Sequence, residues 1–525
     1  MNRLIPMVIA ALLFSSCSSK RADDPLPVVA PPIAVETDPV DGIKWFAGTV
    51  DEAFAAAADS GKPIYLYWGA EWCPPCHAIS ATVFKSPEFI ERSQLFVPVY
   101  LDGDKENAQA AGERFGVRGY PTMIVFDSSG VELTRIPGGI DLEAYANVLD
   151  LTLSNTSSAS QLTAALMGGD TQLSPAECTL LAYNSWDQDT SILADLDRAD
   201  AFRRMHSACP PDMPAERSIL YLAWLDNALM AAEAEEDPVP LSAEQRAEAL
   251  TLLRSVLAEE DLVKANVFSI LFKGARITAA LTDKGSAERT ELMQDYDRAF
   301  NALRSDESVY MRERIYTLVG KMRFERIDNE EAELSEDLKR EIRSTSAWAD
   351  ESTPSVYERQ PIINALANVL NEAGMDDVAK PLLLAELDRS KQAYYFMPEI
   401  ADIEKRAGNT ELAIGWLQKA YDATRGPATR FQWGYYYLSG LLEMAPGDAE
   451  RIRDTTVGMI RELHESGGFY QRPKRQLSSL EEELLAWGEA NGTGSVLEEI
   501  RQAVLSICAS AVPIDKSCQT FLEPA

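Results

Sequence analysis

The sequence predicts an α/β domain of about 110 residues followed by a much larger all-α, helical-repeat-like region. Three observations carry this. Strand-like and helix-like runs alternate between residues 43 and 152; strand-like runs vanish after about residue 156; and a 34-residue self-similarity appears among the later helices. At 525 residues the chain is too long for one domain. Hydrophobic content of 46% and a charged fraction of 25% suffice for ordinary cores. Asp and Glu number 82 against 49 Lys and Arg, a formal net charge of -33. Such a field repels nucleic acid and anionic membrane surfaces, and either gives a well-solvated acidic surface or favours basic partners.

The first residues read as an export signal. Met1-Asn2-Arg3 is a short positive start, and Leu4 to Phe14 is almost wholly apolar but too short for a comfortable membrane span. Small residues Ser15-Ser16 precede Cys17, so residues 1–16 are assigned to a signal peptide. Cys17 after small residues resembles the lipobox of bacterial lipoproteins, although Phe14 stands where that family usually has Leu. The resemblance implies acylation of Cys17, a lipid anchor as the sole membrane contact, and, from Ser18, sorting to the outer membrane facing the periplasm. Plain secretion is the alternative. Residues 17–42, with Pro25, Pro27, Pro31, Pro32 and Pro39, read as an extended tether.

Within residues 43–152, Asp51 to Asp59 reads as a helix stopped at Ser60-Gly61. Ile64 to Trp68 is a β-branched and aromatic run, a buried strand. A helix is expected from Cys76 to about Phe84, a strand over Leu95 to Leu101 and a helix over Glu106 to Phe115. Strands over Thr122–Phe126 and Val131–Ile136 flank a Ser128-Ser129-Gly130 turn, and Leu142 to Leu151 closes the domain as a helix.

Residues 156–525 carry amphipathic segments such as Glu216 to Glu235, Ser242 to Ala258, Glu288 to Ser305 and Pro361 to Ala373. Asn409 and Pro427 stand where helices restart after Gly408 and Gly426. Ala373-Gly374 recurs as Ala407-Gly408, Ala379 as Ala413 and Leu383 as Leu417, each 34 residues on. This spacing resembles the tetratricopeptide repeat, against an irregular bundle as the alternative.

Seven cysteines are present: Cys17, Cys73, Cys76, Cys178, Cys209, Cys508 and Cys518. Without Cys17 six remain, an even number suited to an oxidising compartment. Cys178 with Cys209, and Cys508 with Cys518, are close enough in sequence to be structural disulfides; buried free thiols are the alternative.

Glu71-Trp72-Cys73-Pro74-Pro75-Cys76 carries the chemistry. Half a zinc site is the competing reading, but no second pair lies at finger spacing, and no metal or other cofactor is expected. Between a strand and a helix, Cys73 falls at a helix N-terminus, where free N–H groups and the dipole stabilise a thiolate. Two intervening residues let Cys76 reach a mixed disulfide formed on Cys73.

Here the chain resembles the thioredoxin superfamily. Gly119-Tyr120-Pro121-Thr122, with Pro121 45 residues after Cys76, matches the family's cis-proline loop, Phe115-Gly116-Val117-Arg118 its lead-in, and Gly138-Gly139 the turn before its last helix. Asp51-Glu52-Ala53-Phe54, Lys62-Pro63 and Phe84 bring the pattern nearest to the C-terminal domain of bacterial thiol–disulfide interchange proteins. The resemblance implies Cys73 and Cys76 as redox-active pair, Tyr120 and Pro121 lining a substrate groove, and Trp72 as its apolar rim. Two departures stand out: Tyr67 replaces a buried acidic residue, and Ser80 replaces a Glu. Glu71 is expected to be too exposed to substitute; His77, just after Cys76, is a candidate modulator, against the commoner expectation that a His on the first helical turn faces solvent.

The expected function is an exported thiol–disulfide oxidoreductase, chiefly a reductase of envelope proteins, with protein disulfide or dithiol substrates and a membrane or periplasmic electron-transfer partner. The alternative is a helical-repeat adaptor or chaperone-like binding protein. In it, Tyr394-Tyr395-Phe396 and Trp433 to Tyr437 would line a peptide surface, unless they are core.

Overall fold

The computed structural model describes residues 34–35, 42–105, 108–139, 142–154, 157–234, 241–353, 355–466, 470–509 and 520–522. The proposed signal segment, Cys17, nearly all of the tether and Cys518 lie outside them.

A ribbon of β1 (Ala34–Val35) and β2 (Gly48–Thr49) leads into α1 (Val50–Ser60). Thr49 and Glu52 cap that helix reciprocally, and Gly61 ends it in the left-handed region at φ 71°. Four strands follow: β3 (Ile64–Gly69), β4 (Val97–Asp102), β5 (Thr122–Phe126) and β6 (Glu132–Ile136), in the order β4-β3-β5-β6. β4 runs parallel to β3, while β5 and β6 are antiparallel to their neighbours. Every residue of β3 and β4 is buried, because helices cover both faces.

Period-two alternation divides the sheet. Ile64, Leu66 and Trp68 pack with Ala53 and Ala57 of α1 and with Ala108 and Ala111 of α4 (Ala108–Arg114). On the other face Tyr65, Tyr67, Met123 and Val125 share a core with Phe84, Phe89 and Tyr145. α2 (Pro74–Ala81), α3 (Pro87–Ser93) and α5 (Leu142–Thr152) supply this layer. The helix expected from Cys76 to Phe84 is thus shorter, with a 3₁₀ turn at Val83–Lys85 after it. α3, capped by Ser86 and begun by Pro87, was not anticipated, although that dipeptide is a start signal.

The α/β layer does not stand alone. Its second core continues through Leu162, Leu166, Leu181, Trp186 and Phe202 of the following helices. The Ser185 N–H donates to the Arg135 carbonyl at 2.7 Å, and Asn184 Oδ1 accepts from the Arg135 N–H at 3.0 Å, which occupies the β6 edge. The buried Arg135 guanidinium donates to the Phe115 carbonyl at 2.6 Å and to Glu132 at 2.7 Å. At the opposite edge the Phe46 N–H donates to the Pro98 carbonyl at 2.8 Å.

Helices make up the rest of the described chain. Those expected near Glu216, Ser242 and Glu288 run over Pro214–Ala234, Ala243–Ala258 and Ala287–Ser305. The helix expected to begin at Pro361 begins at Val356 instead, with Pro361 inside it. A disulfide joins Cys178, on Pro175–Ala182, to Cys209, which ends Arg198–Ala208, with Cα atoms 5.3 Å apart. Cys508 is also disulfide-bonded.

The 34-residue self-similarity has a local physical basis. Gly374 and Gly408 have φ of 68° and 79°. Each closes a helix with the same pair of bonds: Met375 N–H to Leu370 O with Gly374 N–H to Asn371 O, and Asn409 N–H to Glu404 O with Gly408 N–H to Lys405 O. The helices Asp376–Leu387 and Thr410–Ala423 follow at once, burying Ala379 and Leu383, then Ala413 and Leu417. Asn409 does not cap its helix through its side chain, which donates to Glu404 at 2.8 Å. Pro427 opens the Pro427–Met444 helix after Gly426, whose φ is 83°. No helix among the described residues is long and apolar enough to cross a membrane.

Candidate active site

β3 ends at Gly69, and the chain turns through Ala70 to Trp72 into α2. Cys73 is the N-cap of α2, with extended backbone at φ -80° and ψ 111°, and Pro74 takes the first helical position, where a missing N–H costs nothing. Cys73 and Cys76 form a disulfide with Cα atoms 5.2 Å apart. The Cys76 N–H donates to Cys73 Sγ at 3.1 Å, so a helix N-terminal amide already points at the sulfur that would carry charge after reduction.

The Tyr120–Pro121 peptide is cis. The Gly138–Gly139 turn lies against it: a Cβ on Gly138 would stand 3.5 Å from Pro121 Cγ and 3.6 Å from Ile79 of α2. Three separate segments, the Cys73 turn, the Pro121 loop and the glycine turn, therefore meet at one end of the sheet. Gln188 donates to the Pro121 carbonyl at 2.7 Å.

Below the pair, Tyr67 is buried and stacks on Tyr100 with centroids 5.4 Å apart; it meets Phe84 edge-on at 4.7 Å. Aromatic packing thus fills the position where the superfamily has a carboxylate. Ser80 is buried as well, and Glu71 is exposed. His77 does not face solvent as expected: it is buried, its Nε2 is 2.6 Å from the Glu71 carbonyl, and burial lowers its pKa against the opposing pull of Glu71.

Trp72 was expected on the rim of an open groove, but only 8% of it is exposed, because the helical region covers it. Gln360, from the Val356–Glu372 helix, donates to the Trp72 carbonyl at 2.8 Å. The Trp433 ring meets the indole edge-on at 5.2 Å, and Tyr395 lies nearly parallel to it at 6.3 Å. The indole N–H donates to Asp104 at 2.6 Å. Asp104 also accepts the Thr429 N–H at 2.9 Å and the Thr429 hydroxyl, and Gly426 approaches so closely that a Cβ would lie 2.7 Å from Asp104. Arg472 places its guanidinium 5.8 Å from the Trp72 ring and 5.3 Å from that of Tyr120.

Burial shapes the charges here. It raises the Asp104 pKa, while bonds from Thr429 and Trp72 and the Arg472 charge pull the other way. Asp102, at the end of β4, is pushed up to about 7, first by burial and then by the Asp104 charge. Tyr120 is raised by burial, with Gln109 donating to its hydroxyl at 3.2 Å.

Sequence reasoning flagged Tyr394-Tyr395-Phe396 and Trp433 to Tyr437, but not their destination. Phe396 and Trp433 are buried, and Tyr395 and Trp433 cover the Cys73 turn. Gln360, Thr429 and Arg472 gave no signal at all.

Residues 50–152 match the family model of the thioredoxin-like domain. The thiol:disulfide interchange protein DsbD of Haemophilus influenzae (strain PittGG) is 29% identical over 128 residues, 23% of this chain and 22% of that protein. That of Cronobacter sakazakii is 36% identical over 108 residues, 19% and 18%. The protein disulfide-isomerase erp38 of Neurospora crassa is 32% identical over 91 residues, 17% and 24%. The chain spans less than a quarter of the length of these relatives. Names and geometry agree on thiol–disulfide oxidoreductase chemistry at a coarse level. Residues 50–152 are therefore a thioredoxin-like domain, homologous to that of the interchange proteins, joined in this chain to a large all-helical region.

Proposed function

We propose that the chain is an exported thiol–disulfide oxidoreductase that reduces disulfides of envelope proteins through Cys73 and Cys76. The observation that carries the reading is the Cys73–Cys76 disulfide at a helix N-terminus, with the preceding Trp72 packed edge-on against Tyr120 of the cis Tyr120–Pro121 peptide. In the reduced form the Cys73 thiolate attacks one sulfur of a substrate disulfide. A Cys73–substrate bond forms as the substrate S–S bond breaks, and the first substrate sulfur leaves as a thiolate that takes a proton. Cys76, deprotonated, then attacks Cys73 Sγ and expels the second substrate thiolate, which is protonated in turn. The substrate gains two electrons, and the pair returns to a disulfide. A membrane or periplasmic dithiol donor closes the cycle.

Tyr120 and Pro121 are read as lining the substrate groove, and Cys17 as the lipid anchor that holds the chain at the outer membrane. The two glycine-closed hairpins 34 residues apart support a tetratricopeptide-like reading of that part of the helices. The adaptor reading finds less support, because two of the aromatics proposed to line its peptide surface, Tyr395 and Trp433, pack on Trp72 instead.

The test is the equilibrium reduction potential of the pair in glutathione buffers, with insulin reduction measured alongside. A potential near about -270 mV with turnover abolished in Cys73→Ser/Cys76→Ser is the expected result. A value near about -120 mV would turn the reading into an oxidase, and a pair that never cycles would sink it.

A further inference from the structure

Cys73 and Cys76 are 1% and 2% exposed, so neither sulfur can meet a folded partner in the arrangement described. What excludes the partner is the chain itself. The Val356–Glu372 helix lies along α2, and five of the helical region's side chains converge on Trp72, in the turn before Cys73, or on its partner Asp104. They form a varied set: an amide donor on a backbone carbonyl (Gln360), two aromatic rings on an indole (Tyr395, Trp433), a hydroxyl on a carboxylate (Thr429) and a cation over two rings (Arg472).

This is the chemistry by which a bound polypeptide would be held. A main-chain amide would satisfy the Trp72 carbonyl, an aromatic side chain would cover the indole, and a hydroxyl or cation would meet Asp104. We propose that the helical region is a built-in occupant of the groove beside Cys73, and that a partner must displace Gln360, Tyr395, Trp433 and Thr429 from Trp72 and Asp104 before exchange begins. The partner that fits is an extended segment carrying an aromatic residue next to Ser, Thr or Arg. The inference rests on the oxidoreductase reading for its meaning, but on burial and contacts for its support.

Among the described residues, Gln360 and Thr429 are the polar residues that donate from the helical region to Trp72 and Asp104, beside a longer Lys85–Glu358 pair at 3.8 Å. Loss of either should raise the open population measurably.

The experiment uses the full chain with the Cys73–Cys76 pair reduced under conditions that leave Cys178–Cys209 oxidised. The rate at which Cys73 is alkylated by a polymer-bearing maleimide is followed by mass spectrometry. Wild type is expected to label slowly. Gln360→Leu/Trp433→Ala should label at least about tenfold faster, with its far-UV circular dichroism unchanged. If that variant loses its fold, Thr429→Val, which removes one hydroxyl at nearly constant shape, is the second probe and should label several-fold faster. Equal rates in wild type and a folded variant would overturn the cap. Insulin reduction run in parallel separates the two readings. A variant that labels faster but reduces nothing keeps the cap and removes the reductase; a wild type that labels as fast as the variants while reducing insulin removes the cap alone.

Discussion

Asp102 shows how a single side chain sets the response of the fold to pH. It is buried at the end of β4, accepts the Asp104 N–H at 3.0 Å, and has its pKa pushed up to about 7. Between its unfolded value of 3.8 and about 7, the folded chain holds a proton that the unfolded chain has released. Its contribution to stability is therefore greatest in acid and falls as pH rises from about 4 to about 7, by on the order of 4 kcal/mol at most. Asp102→Asn should flatten that slope, read as urea midpoints measured across the same interval. A slope that survives the substitution would place the titration elsewhere. Cys73, Cys76 and Pro121 were legible from type and spacing, because each answers a local demand of backbone or sulfur. His77 was not, since its burial depends on a carbonyl of the preceding turn rather than on its helical position.

At the scale of elements, what sequence could read was what neighbours along the chain decide. β5 lies where expected, and β3, β4 and β6 differ from expectation by one or two residues. α3 was overlooked because its seven residues are too few for a periodic signal. The glycine stops were legible, and they carry a quantitative expectation. Both Gly374 and Gly408 adopt a backbone that disfavours any side chain, with open space around the missing Cβ. Gly374→Ala and Gly408→Ala should each cost about 1 kcal/mol through backbone strain alone. The costs should add in the double variant, measured by thermal or denaturant midpoints. Little effect at either position would mean that the helix ends relax without penalty.

For the whole molecule, contacts remote in sequence decide what the site is. Gln360 and Trp72 are 288 residues apart, Thr429 and Asp104 325, and no local pattern announces either pair. Nor did the sequence indicate that the sheet's second face would share its core with the helices after residue 156. The Cys178–Cys209 bond lies inside that shared core and closes a loop of 31 residues. Replacing both with Ala should cost about 4 kcal/mol if loop entropy dominates. Because the core is continuous, the loss should appear in the α/β layer as well as in the helices, as faster amide exchange in β5 and β6. Exchange confined to Pro175–Ala208 would show the two parts to be mechanically independent.

The sheet's margins have one more consequence. A bare edge strand is a template on which any extended chain can crystallise, including a second copy of the same protein. Here Ser185 occupies the ladder along β6 and Phe46 that along β4, so growth of the sheet is blocked in both directions at those positions. The segment around Asn184 to Gln188 thus does two jobs at once: it serves as the selvedge of a small sheet, and through Gln188 it holds the Pro121 carbonyl.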